Sequence, residues 1–300
     1  MRRIASSALR SLEIRVARLE KQAETQREII EELKKDPKRR YRTDAGGEVS
    51  FSTAWSRKDT SEYEQAKRDV ARATKKSDEK KKKLNLVGKD FSGKNISREN
   101  LSGMNLSQAK LVGTSFKLSD LSKAKFIGAD LREADLSDAS LEGAIFSESK
   151  LSEANFMKAK AKDADFRGAT IESADFRGGN FTKADFREAK LRDSYFESSD
   201  LSEAKFMGAD LTIACLHNAI LEGANFKDAT LEGADLSKAD FTDADLRNAN
   251  LKGANLDGAD LREANLKGAD LKGARYSSKT RLPFNEDEAK KRGMIREEDD

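Results

Sequence analysis

The chain has 300 residues, 37% hydrophobic and 37% charged, a composition too polar to bury one large conventional core. Its 57 Lys and Arg against 54 Asp and Glu leave a net charge of +3, which does not by itself point to nucleic acid. One Cys excludes a disulfide framework, and no run of 18 apolar residues is present to cross a membrane, so the composition predicts a soluble, cytoplasmic protein of a reducing compartment.

In chain order, the first element predicted is a helix over 1–36. Leu9, Leu12, Val16, Leu19, Ala23, Gln26, Ile30 and Leu33 follow one another at alternating spacings of three and four. That is a heptad seam, with acidic residues from Glu13 onward on the other faces, and it predicts a coiled coil that makes the protein a homo-oligomer. The opening MRRIASSALRSLEIRVARL is also Arg- and Ser-rich and amphipathic, as an organelle-targeting segment would be, but a cleaved leader has no need of a seam four heptads long. The helix should stop before Pro37, because the residue ahead of a proline is biased away from the helical region.

Residues 37–83 read as a basic linker. A turn is expected at Gly46–Gly47 among scattered aromatics (Tyr41, Phe51, Trp55), then a second helix from about Ser61 with a thin apolar side and the solvated run Lys80 to Lys83. Here the overall balance of charge breaks down. Residues 1–83 carry 24 basic and 15 acidic side chains, a net +9, whereas 84–275 carry a net −5 and 276–300 a net −1.

From Leu86 to Leu271 every fifth residue is Leu, Phe or Ile except Ala161, 37 of 38 positions without a slip in phase. Two residues before each of these, from 109 to 274, the side chain is always small: 28 Ala, with Thr114, Ser119, Ser149, Gly179, Ser194 and Ser199. Two residues after the large position stand 15 of the 19 glycines. A large and a small apolar residue two apart share one side of an extended chain, while a helix would carry a five-residue repeat around its whole circumference. Because five is odd, the chain must turn a corner in each unit, and glycine suits that corner through its freedom to take positive φ. The pattern predicts an all-β solenoid over 84–275.

The Phe residues predict four sides to each coil. Ten of the 13 in the repeat lie on a ten-residue spacing, and at spacing 20 they form one pure column, Phe126, Phe146, Phe166, Phe186, Phe206 and Phe226, with a partial one in Phe156, Phe176 and Phe196. Ala161 falls in a coil already crowded by Phe156 and Phe166, which predicts volume compensation. At strand-like stacking of about 4.8 Å per coil the rod would be roughly 45 Å long. The first units carry Lys89, Lys94, Glu99 and Met104 at the small position and are expected to form an irregular coil with those chains pointing outward.

The tandem A(D/N)LXX units, such as Ala129-Asp130-Leu131 and Ala254-Asn255-Leu256, resemble the pentapeptide repeat family over about 84–275. The resemblance implies a right-handed quadrilateral β-helix with 20 residues per coil. Residues 276–300 resemble the family's endings, in which a Tyr replaces the last core residue and a Thr-x-x-Pro stretch precedes a short helix. Here these are Tyr276, Thr280 to Phe284, an Asn285 N-cap, and a helix to about Arg292 ending at Gly293. Leu282, Phe284 and Ile295 are expected to cover the open last coil as a C-terminal helix cap.

Nothing in the pattern points to an enzyme, a cofactor or a metal. Cys215 and His217, the sole Cys and sole His, flank Leu216 with no further nitrogen or sulfur ligand to complete a zinc site. Asp165/Arg167, Asp185/Arg187 and Asp245/Arg247 are placed to pair. On one side of the solenoid Asp200, Glu203, Glu222, Asp240, Asp243, Asp260 and Glu263 meet only Arg262, while Arg167, Arg187, Lys227, Arg247 and Lys267 make a basic row on the next. Ile213 and Ile220 break the polar rule for outward positions and suggest a small exposed apolar patch. The leading expectation is a non-catalytic interaction scaffold with a protein partner. Two others are a topoisomerase (gyrase) modulator that mimics DNA, by family analogy, and nucleic-acid or anionic-surface binding by the basic N-terminal region.

Overall fold

The computed structural model describes residues 40–42, 48–50 and 86–298. The chain divides into two units, 1–80 and 81–300. In the first, β1 (Arg40–Arg42) pairs antiparallel with β2 (Glu48–Ser50), Tyr41 opposite Val49, so the two strands bracket Gly46–Gly47, where the turn was expected. The coiled-coil residues Leu9, Leu12, Val16, Leu19, Ala23, Ile30 and Leu33, and the helix expected from Ser61, lie outside the described residues.

The second unit is a four-sided solenoid. Each residue preceding a core position bridges in parallel to the residue 20 further on, from Asp90↔Lys110 to Asn255↔Arg275, which fixes four pentads per coil. Each core residue donates its N–H to the next coil, as Leu111 N does to Asp130 O at 2.7 Å, and its carbonyl closes the corner by accepting from the N–H three residues on, as in Thr114 N to Leu111 O at 3.1 Å. The second residue of every corner has positive φ, whether glycine or one of 23 other residues, while the first does not, the signature of a type II turn. Interstrand bonding and corner geometry therefore repeat every five residues, and the large and small positions are turned inward together.

The core is one continuous cluster from Met104 to Tyr276, joined by Ala289 and Met294. The long Phe column stacks at 4.6–4.9 Å between ring centroids, and Phe156, Phe176 and Phe196 stack at 4.9 and 4.5 Å. These spacings match the strand-to-strand distance, so ring stacking and backbone bonding share one pitch. Across the interior the two columns meet edge to face at 5.7–6.2 Å. The buried hydroxyls at small positions all find backbone carbonyls, such as Ser194 Oγ to Ile171 O at 2.6 Å and Thr114 Oγ1 to Phe91 O at 2.9 Å.

A further Phe stands beside Ala161. Phe181 is one coil beyond Ala161 in the same column, and its ring leans back over Gly179; a Cβ there would stand 2.5 Å from Phe181 Cε2 and 3.1 Å from the Ala159 carbonyl oxygen. Gly179, the one glycine at the small position, and Ala161, the one small residue at the large position, thus both adjoin Phe181, one of the three rings that break the ten-residue spacing.

Two expectations are corrected. The first coil is regular, with Gly88, Gly93, Arg98 and Gly103 all at positive φ, and Met104 points inward, 4% exposed. Lys89, Lys94 and Glu99 are exposed, as expected, and Leu86, Phe91, Ile96 and Leu101 in the same coil are only partly buried. At the other end, Ile295 is 53% exposed and does not cover the last coil; Met294 and Ala289 are buried instead, with Leu282 and Phe284 packed against the core. Met294 and Ile295 are consecutive at the start of an extended segment, so only one can face inward.

Beyond the last regular bridge, β3 (Arg275–Tyr276) pairs in parallel with β4 (Ile295–Arg296). Between them α1 (Glu286–Lys291) starts on Asn285, whose side chain accepts from Glu288 N. Asp260 bridges to Arg281 rather than to residue 280, an insertion of one residue, and Thr280 Oγ1 donates to Leu256 O at 2.8 Å while accepting from Gly258 N and Ser277 N at 3.1 Å.

Candidate functional site

Many outward positions of the solenoid share one local device. Where Asp or Asn precedes a core residue, its side-chain oxygen accepts the N–H of the residue two further on, as Asp90 does from Ser92 at 3.0 Å, Asn180 from Thr182 at 3.1 Å and Asp240 from Thr242 at 3.0 Å. That N–H takes no part in the interstrand bonds, so the side chain satisfies a backbone donor that the coil leaves over. Where the second residue is Arg, its guanidinium returns to the same carboxylate as a fork: Arg167 Nε and Nη2 lie 2.8 and 2.7 Å from Asp165, with the same arrangement at Asp185/Arg187 and Asp245/Arg247. All three expected pairs form. They also neutralise the arginines of the basic row, in which Lys227 lies 3.7 Å from Asp228.

The acidic candidates do share a side. Asp200, Ile220, Asp240 and Asp260 are successive rungs, with Glu222 beyond the core residue and Glu203, Asp243 and Glu263 at the corner. The expectation that they meet only Arg262 is corrected: Lys183 Nζ lies 3.4 Å from Glu203, and Arg281 Nη1 donates to Asp260 at 2.9 Å alongside the Arg262 fork. Arg281 escaped notice because the one-residue insertion brings it onto this side. The hydrogen bond from Arg262, joined by the Arg281 contact, holds the Asp260 carboxyl at about 2, below its usual 3.8. Asp200 accepts from Ser202 N and Oγ at 3.0 and 2.7 Å. The carboxylates of Glu222, Asp243 and Glu263 form no hydrogen bond or ion pair among the described residues.

Ile213 and Ile220 are each 46% exposed, but they do not form one patch. Ile213 occupies the corner before the side that carries Leu216, and Ile220 opens the side after it, so a full width of the coil separates them.

Between them lie Cys215 and His217. Ser237 Oγ donates to Asp235 Oδ1 at 2.6 Å and so accepts the hydrogen of His217 Nδ1 at 2.8 Å. Burial, opposed by the backbone N–H of His217 and reinforced by the Glu197 and Asp235 carboxylates on adjoining coils, pushes the Cys215 thiol up to about 11. The thiol lies 3.9 Å from Asp235 Oδ2. The thiolate is disfavoured and the imidazole hydrogen is committed, which is the arrangement of a surface hydrogen-bond network, not that of an activated nucleophile. Sequence reasoning missed Asp235, Ser237 and Glu197, which approach only across coils. Among the described residues no three of His, Cys, Asp and Glu converge to hold a metal, and no helix is long and apolar enough to cross a membrane.

Comparison with known proteins places these features. The family model for pentapeptide repeats matches residues 100–138, 204–243 and 239–275 in eight copies, and that for a pentapeptide repeat region matches 139–206. No curated protein matches. Among solved structures, the chain is similar to HetL, a pentapeptide repeat protein involved in heterocyst differentiation regulation from the cyanobacterium Nostoc sp. strain PCC 7120. The two are 33% identical over 63% of this chain and 90% of that one, with a TM-score of 0.42. It is also similar to a pentapeptide repeat protein of the Arabidopsis thaliana thylakoid lumen (32% identity, 37% and 76% covered, TM-score 0.31). A third is QnrB1, a plasmid-mediated fluoroquinolone resistance protein (24% identity, 64% and 92% covered, TM-score 0.35). With the family models running in phase from 100 to 275 over a ladder that closes every 20 residues, the chain belongs to the pentapeptide repeat family, and its solenoid is that family's right-handed quadrilateral β-helix.

Proposed function

We propose that the protein is a non-catalytic interaction scaffold. The observation that carries this reading is the fixed pitch of its outward side chains: corner and ladder repeat without interruption from Leu86 to Ala274, reinforced by an Asx bond wherever Asp or Asn precedes the core residue, so each side displays its outward groups in straight rows on a rigid backing. The heptad seam at 9–33 supplies oligomerisation, the basic segment 37–83 acts as a spacer, and residues 276–297 close the end of the rod through buried Tyr276, Ala289 and Met294. The acidic side bearing Asp200, Glu203, Glu222, Asp240, Asp243, Asp260 and Glu263 receives a protein partner, as binding surfaces of one sign favour a partner of the other. The DNA-mimic reading asks for sustained negative charge, and the Asp–Arg forks work against it.

Glu222, Asp243 and Glu263 are suited to a test, because their carboxylates hold nothing in the fold and Lys already stands at corner positions such as Lys183 and Lys238. Proteins captured by covalent cross-linking to the full chain should be lost when these three are changed to Lys, with the far-ultraviolet circular dichroism unaltered. Recovery of the same proteins at the same yield would refute the acidic side as the partner surface.

A further inference from the structure

Ile213 stands where the repeat disfavours it most. All the corner residues in second position take positive φ, and of the 23 that are not glycine only Ile213, at φ 54°, carries a β-branched side chain. Branching at Cβ crowds the backbone most severely in the left-handed region, where such a residue is an outlier. The next coil leaves room for it: Ile213 Cγ2 lies 3.3 Å from where a Cβ of Gly233 would be. Apart from Leu118, every other such corner holds Gly or a polar residue, and this one holds a β-branched isoleucine that is 46% exposed.

The departure is not isolated. The position before the core residue, elsewhere mostly Asp, Asn, Lys, Ser or Thr, holds Tyr195 and, on the adjoining rung, Cys215, then Ile220 one side further on. Tyr195 is 38% exposed and Ile220, also 46% exposed, sits between the rungs Asp200 and Asp240. Exposed apolar side chains thus stand apart at the two edges of one side, Ile213 and Ile220, with Tyr195 between them one coil back and the polar His217 and Asn218 in the gap. Around them the preceding coil presents Asp193, Glu197 and Asp200 and the following coil Asp235 and Asp240, against the cations Arg192 and Lys238.

We infer that this side, from Ile213 across Cys215 and His217 to Ile220, is a docking surface for a basic amphipathic helix of a partner protein. Apolar anchors within an acidic surround fit a stripe of apolar side chains flanked by Lys and Arg, whereas nucleic-acid phosphates and anionic lipid headgroups would be repelled by the surround. The inference rests on the scaffold reading and adds the partner's chemistry and the strained residue that anchors it.

The experiment uses the full chain and its Ile213→Gly/Ile220→Thr variant. Thr already stands before the core residue at Thr170 and Thr230, and Gly relieves the corner, so the variant should melt no lower than the parent. The probe is a fluorescent Lys/Leu peptide of roughly 18 residues with Leu at helical spacing, read by anisotropy beside a scrambled peptide of equal composition and a Lys/Ser peptide of equal charge. The amphipathic peptide should bind the parent at least about tenfold more tightly than either control, and the variant should lose at least about tenfold in affinity. Absence of binding at about 100 µM, equal binding of the scrambled peptide, retention by the variant, or preferential binding of a DNA duplex or phosphatidylserine vesicles would overturn the inference. Loss of cross-linked partners on Lys substitution at Glu222, Asp243 and Glu263, with retention in the Ile213→Gly/Ile220→Thr variant, would leave the scaffold standing and remove only this surface.

Discussion

Phe181 stands beside two exceptions to the repeat. Its ring occupies the space over Gly179, so that position cannot take the alanine that the pattern prefers, and it lies one coil beyond Ala161. Gly179→Ala should therefore destabilise the solenoid by about 1–3 kcal/mol, the usual cost of overpacking, and Phe181→Leu in the same chain should recover most of it, as a double-mutant cycle in urea would report. Equal costs in both backgrounds would mean that the ring is not the cause. The columns of Phe could be read from spacing alone, because side-chain period and coil length are both integers of the repeat. The reason for Gly179 could not, since it depends on which way one ring leans. The same limit hid the surroundings of Cys215. With the thiol held at about 11 against an ordinary value near 9, its alkylation by iodoacetamide at pH 8 should run roughly a hundredfold slower in the folded chain than in urea. Comparable rates would show that the thiol is neither buried nor faced by Glu197 and Asp235.

At the scale of the coil, the stabilising unit is the Asp that accepts a spare backbone N–H and, in several pentads, a guanidinium as well. The carboxyls of Asp130, Asp245 and Asp260 are lowered first by hydrogen bonds from Arg132, Arg247 and Arg262; for Asp175 and Asp185 burial is the largest single effect and raises the carboxyl, but the hydrogen bonds and charge of Arg177 and Arg187 together lower it. A carboxyl lowered by folding contributes stability that is fully present above its unfolded value and is lost as pH falls through the folded one. For Asp260 that window runs from about 3.8 down to about 2. The urea midpoint should fall between pH 5 and pH 2, and by less in Asp260→Asn, which keeps the N–H acceptor but loses the ion pairs; an identical fall in both would exclude these contacts. The pairs themselves were legible, because residues either side of a core position must project on the same side of a strand. The Asx bond was not, because alternation says only that Asp points outward and is silent on the N–H left over by each corner. The far end shows a further limit: an insertion of one residue before Arg281 shifts the phase and carries a cation onto the acidic side.

The whole solenoid follows from a narrow rule, two residues in five turned inward, which lets a chain with 37% hydrophobic residues fold where a globule of this length would need more. Both prolines stand at boundaries, one after the heptad seam and one before α1. The +3 total conceals a +9 N-terminal region joined to a −5 solenoid, a division that suits a spacer leading to a display surface better than a single nucleic-acid binder. A scaffold of this design gains most when several rods are joined, since linked weak contacts act together. Sedimentation equilibrium tests that claim most directly. At micromolar concentration the full chain should have a mass of two or more times 33.2 kDa, and the chain lacking residues 1–35 should have the mass of one copy. A full-length chain that sediments as a monomer, unchanged by the deletion, would contradict the account.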